Sequence, residues 1–261
     1  MVVQEPPLKR LLSLLPLLFS LTCVGAPEVL RVDFRERPPE MRAVDGLPSG
    51  PLISVLETAA HRIGVDLQWR EAPFLRSLED LRSGRVDLVP RVLLTQQRRE
   101  YIHFLPSIGS QQLNVRFVVR PGEEARLSRY ADLYELSLGV KRGTSYFEPF
   151  DSDDLLGRAY ASDDAQLAAM FRAGRLDTIA VIDVVPMEAQ FQAMNFRAYS
   201  YAHYTHQQVL GNHFGASLKR YQSDRRELYD RLGAELQRMR EEGEVALIYR
   251  RYGVLPPDEA N

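Results

Sequence analysis

The chain has a single cysteine, Cys23, among its 261 residues. No disulfide framework can be built from it, and if the first 25 residues are removed no thiol chemistry remains. Long hydrophobic runs are missing as well. The longest, residues 11–21, is broken by Ser13, Pro16 and Ser20 and falls short of the roughly 20 residues that span a bilayer. There is no surplus of positive charge either: 33 Lys and Arg stand against 35 Asp and Glu, a formal net charge of −2. Bulk attraction to nucleic acid is therefore not expected. No Ser/His/Asp array and no phosphate-cradling glycine loop stands out. What is present is 45% hydrophobic and 26% charged content, a composition normal for globular proteins. The length suits one large domain or two lobes.

Lys9 and Arg10 precede the short apolar run and small residues follow it, which is the layout of a secretory signal. Residues 1–25 are read as a signal peptide. Cleavage after Gly25 fits best, because Cys23 and Gly25 are both small and a cut after Ala26 would place Pro27 beside it. The rival readings are a short buried helix and an acylated Cys23, for which Leu21-Thr22 is a poor match. The mature chain would carry 31 basic and 34 acidic residues. The expected address is the periplasm.

Beyond the signal, residues 29–34 read as a strand and residues 35–51, rich in Pro, Gly and charge, as loop. Leu52, Val55, Leu56, Ala59, Ala60 and Ile63 make one apolar helical stripe, Gly64 stops it, and residues 65–69 form the next strand. Leu75, Leu78 and Leu81 mark a second helix that Ser83-Gly84 closes, and residues 86–89 a short buried strand. Strand and helix alternate, so the chain is read as α/β with parallel pairing. The texture recurs with strands at 115–119, 138–141 and 176–182 and helices at 127–136, from Gly143-Thr144-Ser145, and over 162–171. The pattern helix, Gly-Arg-apolar-Asp, strand occurs twice, at Gly84–Asp87 and Gly174–Asp177, and suggests two related lobes. Asp224 with Glu227 has the side chains of a helix cap, followed by Leu228, Leu232, Leu236 and Met239 on one face.

Four landmarks carry a resemblance: the Pro38-Pro39 loop before an apolar helix; Leu78–Asp87 running into Thr95-x-x-Arg98; Gly139-Val140 followed by Gly143-Thr144-Ser145; and the segment from Glu241-Glu242-Gly243 to Tyr252-Gly253. From about Val29 to Gly253 the chain resembles the bacterial extracellular solute-binding proteins of the polar amino-acid type, the periplasmic receptors of ABC importers. The resemblance implies a two-lobed periplasmic-binding-protein fold, with residues 26–114 and 208–261 in lobe 1, residues 115–207 in lobe 2, and two strands crossing between them. It further implies a small-molecule ligand held between lobes that close like a hinge, an inner-membrane ABC permease as partner, a monomer, and no cofactor, metal or nucleic acid.

Arg98 sits where such proteins hold an arginine against a ligand carboxylate, a task for which a guanidinium's paired donors are suited. Thr144 and Ser145, at the expected helix start, offer N–H groups to an anion or simply cap the helix. Phe74 can pack on an apolar part of the ligand. Arg76 and Arg91 are arginines in unusual places, and Glu36 and Arg37 lie in the loop from which family members often contact the ligand. The pattern also departs from the amino-acid receptors. Arg91 and Leu93 replace small hydroxyl residues, and Ile182 stands where an acid usually grips the α-amino group, with Asp183 one residue on. The extra arginines point toward a more anionic ligand.

Two rivals remain. Some proteins of this fold are dehydratases, for which Glu36, Glu148 or Asp183 would be candidate acids; others serve membrane sensors. A metal enzyme built on His203, His206 and His213 is disfavoured, because Tyr204-Thr205 suits a strand and no acid completes the motif.

Overall fold

The computed structural model describes residue 1 and residues 28–182 and 184–259. Nearly all of the expected signal peptide, Cys23 included, and Asp183 lie outside the described residues. In chain order the first part holds β1 (Glu28–Phe34), the hairpin of β2 (Arg42–Val44) and β3 (Leu47–Ser49), α1 (Pro51–Arg62), β4 (Val65–Glu71), α2 (Phe74–Ser83), β5 (Leu88–Pro90), the single turn α3 (Gln96–Arg99) and β6 (Ile102–Phe104). The long β7 (Ser110–Val119) leads into β8 (Leu138–Lys141), β9 (Arg158–Ala161), α4 (Asp164–Arg172), β10 (Thr178–Val181) and α5 (Val184–Ala193). The chain returns along β11 (Ser200–Gly211) to β12 (Phe214–Ser217), α6 (Leu218–Arg220), α7 (Arg226–Glu241) and α8 (Glu244–Arg251).

Two five-stranded sheets result, one per lobe, with strand orders β4-β1-β5-β12-β6 and β11-β7-β10-β8-β9. In the first, β4, β1 and β5 are parallel and β12 runs against them. In the second, β10, β8 and β9 are parallel, and β7 pairs antiparallel with both β10 and β11. The β7–β11 ribbon runs from Ser110 opposite Gly211 to Val119 opposite Ser200 and joins the lobes.

The stripe on α1 explains why the chain's end returns to the first lobe. Leu52, Val55, Leu56, Ala59 and Ala60 are buried in one core with Leu30, Val32 and Phe34 of β1 and with Leu228, Leu232, Leu236 and Tyr249 of the last helices. Each of the Val, Leu and Phe side chains contributes on the order of 1.5–3 kcal/mol on burial. The second lobe has a core on each face of its sheet, one around Phe117, Phe147 and Phe150, the other around Leu167, Phe171 and Phe191.

The repeated Gly-Arg-apolar-Asp unit has the same job in both lobes. Gly84 and Gly174 take left-handed backbone (φ 78° and 73°) and donate their N–H groups to Leu81 and Phe171, closing α2 and α4. Asp87 then donates its N–H to Arg31 O (2.8 Å) while its carboxylate accepts the Arg31 N–H (3.0 Å). Asp177 does the same to Ser137, at 3.0 and 2.8 Å. Each aspartate thus fastens its strand to the neighbouring parallel one.

Some expectations need correction. Residues 127–136 form no α-helix but a 3-10 segment at Tyr130–Glu135, preceded by a shorter one at Glu124–Arg126. No helix opens at Gly143-Thr144-Ser145. There the chain turns, and the Asp151 carboxylate accepts the Tyr146 N–H through both oxygens (2.9 and 2.8 Å), a local side-chain bond that offers the backbone an alternative to a helix. The last helical run starts earlier than Asp224. Ser217 caps α6 by accepting the Arg220 N–H, a π turn at Tyr221–Arg225 continues into α7, and Asp224 pairs with Arg220 at 2.8 Å instead. Strand β7 is twice as long as the five residues expected, and the second crossing strand, β11, runs the twelve residues Ser200–Gly211.

Candidate functional site

A cleft of about 550 Å3 lies between the lobes, within the size range of small-ligand sites. The carboxyl ends of β1 and β5 open onto it, as ligand sites in open α/β sheets do. β1 delivers Arg35, Glu36 and Arg37; β5 delivers Arg91 and Leu93; α2 and α3 add Phe74, Leu75 and Arg98. From the second lobe come Lys141, Arg142 and Thr144 to Tyr146, Ser162 to Asp164, and a wall of Ala180, Val181, Ile182, Pro186 and Ala189 with Gln190 beside it.

Arg98 owes its place to Thr95, whose hydroxyl accepts the Arg98 N–H (3.2 Å) and so starts the single turn of α3. Its side chain, only 4% exposed, donates to Leu93 O and, across the cleft, to Gly143 O, each at 3.0 Å. Burial holds its pKa below the ordinary arginine value. Arg91 stands with φ 58°, a conformation unusual for a bulky residue. It donates to Glu40 (3.2 Å) and to Gln111 (2.5 Å). Burial raises the Glu40 carboxyl, but the guanidinium groups of Arg91 and Arg37 outweigh it and keep the group below the usual carboxylate range.

Of the residues named from sequence, Arg98, Arg91, Phe74, Glu36, Thr144 and Ser145 all line the cleft. Thr144 and Ser145 do so from a turn, not from a helix end. Phe74 faces guanidinium groups, with Arg35 Cζ 4.1 Å and Arg98 Cζ 5.5 Å from its ring centre. Arg76 lies elsewhere: it is 62% exposed in its side chain and pairs with Asp80 at 3.2 Å, together with Arg70 and Arg85. Asp183 lies outside the described residues, while its neighbour Ile182 is part of the apolar wall. Glu148 accepts a hydrogen bond from Ser152 and does not line the cleft. His206 is stacked on Phe147 with ring centres 3.7 Å apart, and among the described residues no group of three His, Cys, Asp or Glu is placed to hold a metal.

Sequence reasoning passed over Arg35, Lys141 and the Ser162–Asp164 turn. Arg35 follows the last residue of a parallel strand, a position that itself marks a cleft residue. Asp163 caps α4 by accepting the Gln166 N–H (2.8 Å), and Asp164 pairs with Lys141 (2.8 Å), so both acids are engaged.

A family model of bacterial extracellular solute-binding proteins, family 3, matches residues 30–254. No curated protein sequence matches the chain. Solved structures share its fold at low identity. A histidine kinase sensor domain similar to periplasmic binding proteins is 19% identical, with 88% of this chain and 98% of that one covered and a TM-score of 0.70. An amino-acid ABC transporter substrate-binding protein from Streptococcus pneumoniae, bound to L-arginine, is 20% identical over 86% and 94%, with a TM-score of 0.64. An ancestral amino-acid-binding protein, a precursor of cyclohexadienyl dehydratase, is 16% identical over the same shares, also at 0.64. Among the described residues no helix is long and apolar enough to cross a membrane. With its two α/β lobes, its two crossing strands and a family match over most of its length, the chain belongs to the bacterial extracellular solute-binding proteins of family 3.

Proposed function

We propose that the protein is a periplasmic receptor that captures a small, carboxylate-bearing polar solute, an amino acid or a relative of one, by closing its lobes around it. The solute is then delivered to an ABC permease in the inner membrane. Arg98 carries this reading. It is a buried cation that donates hydrogen bonds to two backbone carbonyls, one from each lobe, and it makes no ion pair with a described carboxylate. A guanidinium in that state gains most from a ligand carboxylate, which matches its parallel N–H donors and neutralises it away from water. Because one of its bonds crosses to Gly143, a ligand on Arg98 is placed to favour the closed arrangement.

Binding, not turnover, is the better account of the acids. Glu36, the one described dehydratase candidate that lines the cleft, is engaged as an acceptor for the Ala43 N–H (2.6 Å). The test begins with a thermal-shift screen of amino acids and organic acids, where a ligand at a hundred times its Kd adds about 2.7 kcal/mol. Arg98→Ala is expected to weaken the hit by at least about 30-fold, the lower end of losing one partner of a buried charge pair. A folded variant with unchanged affinity refutes the reading.

A further inference from the structure

The cations of the cleft divide into two groups by their partners. Arg37 and Arg91 share the buried Glu40, and Lys141 is paired with Asp164. Three have no such partner among the described carboxylates: Arg142, which is exposed, and Arg35 and Arg98, which are not. Arg35 donates to Pro90 O (3.3 Å) and Arg91 O (3.1 Å), Arg98 to Leu93 O and Gly143 O, and neither pairs with a described carboxylate. Both guanidinium groups pack on Phe74, at 4.1 and 5.5 Å from the ring centre, so their central carbons are no more than about 10 Å apart. Burial, with the nearby cations Arg37 and Arg91, pushes the Arg35 pKa down to about 9. An anion between the two would relieve that crowding.

The rest of the cleft offers little to a positive ligand group. An ammonium needs acceptors for its three N–H donors. The second lobe's wall presents Ala180, Val181, Ile182, Pro186 and Ala189, and the polar groups beside them, the Gln190 amide and the Thr144, Ser145 and Ser162 hydroxyls, are neutral and bring no balancing negative charge. The described carboxylates at the rim each already have a partner in the protein: Glu36 the Ala43 N–H, Asp163 the Gln166 N–H and Ser162 Oγ, and Asp164 the Lys141 ammonium, and only the last is neutralised by a cation.

Resting on the receptor reading above, we infer that the solute is a small dicarboxylate without an ammonium group, one carboxylate held by Arg98 and the other by Arg35, with its carbon chain against the apolar wall. Arg35 is then the residue that sets specificity, since Arg98 alone would serve any monocarboxylate.

The test is titration calorimetry of the purified protein with succinate, glutarate and adipate, against glutamate, glutamine and arginine, and against butyrate and valerate. The best dicarboxylate is expected to bind at least about tenfold tighter than any amino acid or monocarboxylate, a difference of about 1.4 kcal/mol. In Arg35→Gln that preference over the monocarboxylates should collapse while monocarboxylate affinity stays within about threefold, well under the tenfold step. An amino acid that binds as tightly as the best dicarboxylate overturns the inference and leaves the receptor reading standing. So does an Arg35→Gln variant that loses both ligand classes equally, because Arg35 would then only support the site. Absence of binding by every compound, amino acids included, counts against the receptor reading itself.

Discussion

Gly143 is the most exacting position at the meeting of the lobes, and Gly143→Ala separates closure from folding. The residue has φ +73°, and a Cβ built on it would lie 2.0 Å from Leu75 Cδ2 and 3.1 Å from Leu75 Cγ. Leu75 belongs to α2 in the first lobe, Gly143 to the second, so the collision exists only when the lobes meet. Two costs follow. Left-handed backbone costs alanine about 1 kcal/mol whether the protein is open or closed, and this lowers stability. Displacing Leu75, whose side chain can turn, costs about 1–3 kcal/mol in the closed form alone, and this lowers affinity by about 5- to 150-fold. Calorimetry with the solute found in the screen reads the second cost; urea unfolding of the ligand-free protein reads the first. Gly122→Ala is the control, since Gly122 has φ +87° with nothing within 4 Å of a built Cβ: it should lose stability and keep its affinity. In the double variant with Leu75→Ala, affinity should return to that of Leu75→Ala alone, because the two sites couple only through contact. Wild-type affinity in Gly143→Ala, or no rescue by Leu75→Ala, refutes the account.

Two further outcomes follow from the first lobe's buried acids. Burial raises the Asp80 carboxyl, but hydrogen bonds from Arg70, Arg85 and Arg76 outweigh it and bring the pKa down from 3.8 to about 2. Its stabilising contribution is therefore complete above the unfolded value near 4 and is lost as pH falls toward 2. Unfolding measured across that window should show the loss, and Asp80→Asn should flatten it; an unchanged slope counts against the assignment. Asp87 is fully buried against Arg31 at 2.9 Å, with the Tyr229 hydroxyl bonded to its other oxygen at 3.1 Å. Asp87→Asn should cost about 3–5 kcal/mol by urea unfolding, whereas Asp177→Asn, at an exposed ion pair, should cost about 1 kcal/mol or less. Equal losses would mean that the backbone fastening, common to both, supplies all the stability.

What could be read from sequence depended on how local its cause was. The stripe Leu52 to Ala60 encodes a helix within one stretch, and α1 forms over Pro51–Arg62. Gly84 and Gly174 end their helices because left-handed backbone is a property of the residue itself. The segment after Gly143 departs from expectation for the opposite reason: it is held by a carboxylate five residues away, Asp151, which takes the N–H of Tyr146, and no periodicity records that bond. Ser217 shows the same limit. As the last residue of β12 it is buried and caps the run that follows, so Asp224, the better cap by type, arrives after the helical run has begun.

The arginines show where such reading stops. Arg76 and Arg98 are the same residue type on neighbouring helices, yet Asp80 holds one at the surface while Leu93 O and Gly143 O hold the other in the cleft. The Gly143 carbonyl is 45 residues away in sequence. Arg91 reaches further still. Its partners are Gln111 near the start of β7 and Glu40, and Glu40 in turn accepts from Asn212, just past the end of β11, at 3.3 Å. The two connecting strands are therefore tied, where they leave the first lobe, to the carboxylate that balances two of the cleft's cations. A change of charge in the cleft acts on Glu40 and Arg91, and through them on the residues flanking the interlobe ribbon. That coupling follows from partners 20, 51 and 172 residues apart, and only the folded chain brings them together.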